Sequence, residues 1–131
     1  MMLGGGCVTT WTQDYPALPG SAKAAAQYAH TIVQERLPGR ADDAQKIVRE
    51  MFAVGVARST PLSNMNLITV IEDNLGERGH VHFELHYAND LAGSKDPTDA
   101  HQIVSALSDS YGEQRTHSGR MLYADLWGSA A

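Results

Sequence analysis

Two neighbouring runs decide the fold: Asn66-Leu67-Ile68-Thr69-Val70-Ile71-Glu72 and His80-Val81-His82-Phe83-Glu84-Leu85-His86-Tyr87. Both are rich in β-branched and aromatic residues, which suit a pleated, half-buried strand. The second alternates strictly. Val81, Phe83, Leu85 and Tyr87 fall on one side, and His80, His82, Glu84 and His86 on the other, because successive side chains of a strand point to opposite faces. Asp73–Gly79 between them is turn-forming and predicts an antiparallel hairpin with a longer loop. A sheet with one apolar face and one polar face needs a covering layer on the apolar side only.

Helices on either side of the hairpin supply that layer. Upstream, Ala22–Leu37 repeats Ala25, Tyr28, Ala29, Ile32 and Val33 at helical spacing. Ser21 is placed to cap it and Pro38-Gly39 to end it. Asp42–Ser59 repeats Ala44, Ile47, Val48, Met51, Phe52 and Gly55, with Asp42 and Asp43 in its first turn, where carboxylates favour the helix dipole. Downstream, Asp96 reads as an N-cap with Pro97 at the first helical position. Ala100, Ile103, Val104, Leu107 and Tyr111 form the stripe of a third helix ending near Gly112. Cys7–Tyr15 reads as a first strand or extended arm. Glu113–Gln114 and Arg120–Trp127 read as a closing hairpin around Thr116–Gly119. The order β-α-α-β-β-α-β predicts an α+β two-layer sandwich, in which a mixed or antiparallel sheet of four to five strands carries three helices on one face.

The chain has 131 residues, 43% of them hydrophobic, so one domain with a proper core is expected. Net charge is −5, and the ten Lys and Arg are scattered singly. Nucleic acid and anionic membrane are poor partners for such a surface, since phosphate binding needs a concentrated basic patch. No apolar run approaches the ~20 residues of a membrane span. Cys7 is the single cysteine, so no internal disulfide forms, which fits a reducing compartment. The opening Met1–Cys7 lacks the basic and apolar segments of a lipoprotein signal, and a cytoplasmic location is expected.

The element order and several segments together resemble the histidine-kinase-like (GHKL) ATPase fold, nearest its anti-sigma-factor serine kinase branch. The likeness runs from Asp14 to Trp127. Asp14–Ser21 with the Ala-rich helix behind it resembles the family's opening, and Asp42–Phe52 its N-box helix. Val104–Gly112 resembles the helix after the lid, and Gly119–Leu126 the last strand. The resemblance implies a bound ATP with Mg²⁺, a serine/threonine kinase activity, and a protein partner such as a sigma factor, an anti-sigma antagonist or a signalling protein, often engaged by a homodimer. In that family a Glu precedes a Mg²⁺-binding Asn by four residues. Here Glu50 is followed by Val54, and an alkane offers a hard cation nothing. The family's adenine-binding Asp aligns with Tyr87 or Ala88, leaving Asp90 as the displaced alternative. Its phosphate-loop glycines align with Thr98 and Ala100, leaving Gly93 nearby.

Loss of three parts of one nucleotide site points to a catalytically degenerate, cofactor-free regulator that binds proteins. The alternative is an active ATP-binding kinase with Glu50 as base, Asp90 on adenine and Gly93 in the phosphate loop. A third reading places a metal ion on His80, His82 and His86, since imidazoles two apart on a strand can share one. A fourth makes that His-rich face a pH-sensitive interface. Trp11, Tyr15 and Trp127 either anchor a partner or seal the sheet.

Overall fold

A computed structural model describes residues 7–73, 79–91 and 93–128. Strand β1 spans Cys7–Pro16, helix α1 Pro19–Arg36, and a single 3₁₀ turn Pro38–Arg40 leads into helix α2, Ala41–Ala57. Strands β2 (Asn64–Asp73) and β3 (His80–Tyr87) follow, then helix α3 (Ala100–Leu107), strand β4 (Ser110–Arg115) and strand β5 (Arg120–Trp127). The five strands form one antiparallel sheet in the order β1-β2-β3-β5-β4. The architecture is the expected α+β two-layer sandwich with three helices. The expected tip of the β2–β3 hairpin, 74–78, lies outside the described residues, as do Met1–Gly6.

Register follows from the apolar pattern, because a slip of one residue would turn every core side chain outward. Leu67 pairs with Leu85, Ile71 with Val81, and Leu85 in turn with Leu122. All of these are buried, while the alternate residues of β3 stay half-exposed. Ile47, Val48, Met51, Phe52 and Val54 of α2 are fully buried on the same face, so α2 is the central covering helix. Each such side chain contributes about 1.5–3 kcal/mol by leaving water. Tyr15 meets the ring of Phe52 edge-on at 5.3 Å. Arg36 lies over Trp11. Gly55 lets α2 approach the sheet, since a methyl there would lie 3.1 Å from Leu85 Cδ2 and 3.2 Å from Met65 Cε.

Three boundaries differ from expectation. Helix α1 begins at Pro19, so Ser21 is inside the helix, and its hydroxyl bonds the Pro16 carbonyl rather than capping. Helix α3 stops at Leu107, and Tyr111 and Gly112 belong to β4. Asp96 is not the N-cap of α3. That place is held by Asp99, in the left-handed region at φ 68°, without a side-chain cap bond. Sequence periodicity could not separate the end of a short helix from the start of the strand beside it.

Candidate functional site

At the C-terminus of α2, side chains from the end of β3, from Asp96 in the loop before α3 and from β4 converge on Arg58. It follows the last turn of α2, where a cation favours the helix dipole. Its Nε and Nη2 donate to the two oxygens of Asp96, each at 2.7 Å. Its Nη1 donates to the Tyr87 hydroxyl and to Glu113 Oε2, both at 2.6 Å. Only 15% of the Arg58 side chain is exposed. A planar guanidinium matches a carboxylate fork in this way, where Lys would not. The Asp96 bonds are the main reason that the Arg58 pKa is raised further. The same bonds, with a smaller part from His101, hold the Asp96 carboxyl down at about 2.

Asp96 also anchors a hydroxyl–imidazole–carboxylate chain. His101 Nε2 lies 2.7 Å from Asp96 Oδ2, and His101 Nδ1 lies 2.6 Å from the Tyr111 hydroxyl. The order of groups matches that of a nucleophilic triad, but the phenol is wrong for the role. Burial, followed by the Glu113 charge, pushes Tyr111 up to about 12, so it keeps its proton. With a neutral imidazole, Tyr111 donates to Nδ1, and Nε2–H donates to Asp96. The chain therefore latches α3 and β4 to the loop before α3.

The segment after β3 is fastened to α2 as well. Asn89 takes the left-handed conformation (φ 55°), which turns the chain back. The Thr60 amide then donates to Asp90 Oδ1 at 2.6 Å, and the Leu91 amide donates to the Arg58 carbonyl at 3.1 Å. The Thr60 amide bond is the first cause of the lowered Asp90 pKa. A cavity of about 360 Å³ remains, lined by Arg58, Asn89, Asp90, Leu91, Gly93 and Ser94. Thus Asp90 and Gly93, singled out from sequence, do share a wall, with Asp90 Oδ1 held by the Thr60 amide. Glu50 is half-exposed on α2, and its carboxylate makes no hydrogen bond or ion pair among the described residues. Val54, one turn on, is 0% exposed, inside the core.

A second polar array occupies the sheet face away from the helices. His80 Nε2 and His82 Nδ1 both lie against Asp125 Oδ1, at 2.7 and 2.8 Å. His82 Nε2 and His86 Nε2 lie 2.9 Å from the two oxygens of Glu84. Glu72 approaches His80 Nδ1 at 3.7 Å, and Ser110 donates to Asp125 Oδ2 at 2.8 Å. Acid and base therefore alternate along Glu72–His80–Asp125–His82–Glu84–His86. His80 stacks on Trp127 with centroids 4.3 Å apart, and His82 lies over Tyr123. Burial works against the charged form of His82, yet its bonds to Glu84 and Asp125 prevail and raise its pKa. Burial likewise opposes the charged carboxylates of Glu84 and Asp125, and their imidazole bonds prevail to lower both.

His80, His82 and His86 are joined through these carboxylates rather than around a common point. Among the described residues no group of three or more His, Cys, Asp or Glu is arranged to hold a metal ion. Trp11 and Tyr15 pack toward the helices, while Trp127 is 44% exposed. No helix among the described residues is long and apolar enough to cross a membrane. No known family matches the chain, and no curated protein is significantly similar to it.

Arg58, Asp96, His101 and Asp125 were missed as site residues from sequence. In the sequence Asp96 has the pattern of a cap because Pro97 follows it. Their contacts bridge separations such as 58 to 96 and 82 to 125, and no local pattern announces such pairs. The one available signal for Asp125 was its place on the polar side of the last strand, opposite a His-rich strand.

Proposed function

We propose that this chain is a regulatory protein that acts by holding a protein partner, on a sandwich that resembles the histidine-kinase-like ATPases but no longer uses a nucleotide. The observation that carries the reading is Arg58. Its guanidinium, with Asp96, Tyr87, Glu113 and the His101–Tyr111 latch, ties together the ends of α2 and β3 and the loop before α3, and it forms one wall of the cavity left there. In the resembling family that ground belongs to ATP. Two further features support it. Val54 stands where a Mg²⁺ ligand is needed, and it is enclosed by the core. Asp90, the remaining candidate for adenine, has its Oδ1 held by the Thr60 amide. Partner binding needs only an exposed face and a stable scaffold, and both outlast the loss of a nucleotide site. A sigma factor, an anti-sigma antagonist or a signalling protein is the partner class that the resemblance implies, and that step is by analogy of fold.

Calorimetric titration of the intact chain with Mg²⁺-ATP tests the proposal. No heat at high micromolar nucleotide is the expected result. Micromolar affinity would replace this reading with that of an ATP-binding serine/threonine kinase. Affinity capture from the native cytoplasm, with Arg58→Gln as a control for loosened structure, would then identify the partner.

A further inference from the structure

We propose that the hollow where the open face of the sheet meets the turn between β4 and β5 binds an organic cation, whose alkylammonium or guanidinium head sets its N–H groups against a wall of acceptors built by Asn64, Asn66 and His86. The hollow lies on the opposite face of the sheet from the Arg58 cleft, so the inference stands whether or not the chain binds ATP.

Strand pleating and register assemble the site. Asn64, Asn66 and His86 alternate with the buried Met65, Leu67 and Leu85, which puts all three on the face away from the helices. Register sets Asn66 between Asp14 of β1 and His86 of β3. Past the end of β3, Ala88 with Thr116 and Ser118 of the turn encloses a hollow of about 380 Å³, within the size range of small-ligand sites.

Asp14 fixes what that hollow offers. Its Oδ1 accepts from Asn64 Nδ2 at 3.1 Å and from Asn66 Nδ2 at 3.0 Å. The Asn64 bond, then the Asn66 bond, holds the Asp14 carboxyl below its usual range. An ionised carboxylate only accepts, so the groups turned toward β1 are the two NH₂ groups. Asn66 Nδ2 also donates to the Gln13 carbonyl at 3.3 Å. A side-chain amide is planar, so both Oδ1 atoms turn away from Asp14, toward β3 and the hollow. His86 Nε2 faces Glu84 Oε1. In the neutral ring that nitrogen carries the hydrogen, which leaves Nδ1 as a third acceptor. These three acceptors and the hydroxyls of Thr116 and Ser118 have no hydrogen-bond partner among the described residues.

Acceptors without a fixed donor select the ligand. No Lys or Arg lines the hollow to draw an anion, and it offers no aromatic platform for a sugar ring, since Tyr87 is 4% exposed. A cation rich in N–H satisfies the acceptors together, and the Asp14 and Glu84 carboxylates stand directly behind them. An alkyl stem has a place too. A second hollow, lined by Asp14, Tyr15, Pro16, Leu62 and Asn64, meets the first at Asn64. There Leu62 is 70% exposed and held in the left-handed region at φ 71°. That conformation is strained for a bulky side chain, and such strain gathers at binding sites.

Chemical-shift titration of the untagged, isotope-labelled chain at neutral pH tests the proposal, with butylammonium and butylguanidinium as probes and myo-inositol, sulfate and potassium as counter-probes. Saturable shifts at Asn64, Asn66, Thr116 and Ser118 are expected with Kd about 1–10 mM, the strength of a few charge-assisted hydrogen bonds at an open site. Ser118→Arg sets a tethered guanidinium on the exposed rim and is expected to abolish the response. Asn66→Leu is expected to weaken it by at least about tenfold. Circular dichroism checks that both variants fold, and the rim variant touches no buried residue. Putrescine and a blocked tripeptide with a central lysine separate the sources: tighter binding of the first assigns a free amine, and of the second a basic side chain of another protein. No saturable response to either butyl cation, an equal response to inositol, sulfate or potassium, or an unchanged response in the folded variants would each overturn the proposal.

Discussion

Replacing Arg58 by Gln removes the four bonds that hold the segment before α3 to the body of the sandwich. Its size can be worked from the geometry. A hydrogen bond to a charged group is worth about 1.5–3 kcal/mol net, and deleting one side of a fully buried ion pair costs about 3–5 kcal/mol. Here the abandoned partners are reachable by water. The Asp96 side chain is 26% exposed and Glu113 35%, so hydration recovers part of the loss. Tyr87, at 4% exposure, recovers less. The expected loss is about 2–3 kcal/mol, which lowers Tm by about 10 °C in a domain of this size. Urea unfolding followed by circular dichroism gives the number. Asp96→Asn and the double variant complete a cycle whose coupling should reach about 1–2 kcal/mol. A loss under about 1 kcal/mol, or coupling near zero, would mean that Arg58 is a solvated surface arginine and that the cleft is not held by it.

Four further outcomes follow from the same structure. Val54→Asn puts an amide into a fully enclosed site and should cost about 2–4 kcal/mol of stability without creating Mg²⁺-ATP affinity, read by denaturation and calorimetry together. Gly119→Ala should destabilise by at least about 2 kcal/mol, because a methyl there overlaps the Tyr87 and Ala88 carbonyls, which are backbone and cannot swing aside; an unchanged unfolding midpoint would contradict the tight β4–β5 turn. The Asp96 carboxyl, at about 2 folded against 3.8 ordinarily, contributes stability that is complete above pH 4 and lost as pH falls toward 2. After allowance for its partial exposure this amounts to about 1–2 kcal/mol, and Asp96→Asn should remove that part of the acid transition. His82 has the opposite sign: its raised pKa stabilises the fold fully below about pH 6.5, and the gain fades as pH rises through the folded value. His82→Gln should therefore lower the urea midpoint more at pH 6 than at pH 8, and equal effects at both would refute the imidazolium assignment.

The sequence by itself determined the sandwich. Strict alternation over His80–Tyr87 and the Ile47–Phe52 stripe each declare a period and a buried face, and periodicity is a local property that any short window reveals. Those patterns gave a sheet of four to five strands, three covering helices and the two faces of β3, while the strand order and register came from the structure. Tertiary structure alone decided the chemistry. Arg58 gave no hint of meeting Asp96 and Glu113, nor His82 of meeting Asp125, because hydrogen bonds between side chains depend on where the backbone brings distant elements, not on their spacing along it. The same holds for α3, where Tyr111 fits a helical stripe as well as a strand, and only its place beside β5 and His101 assigned it to the sheet.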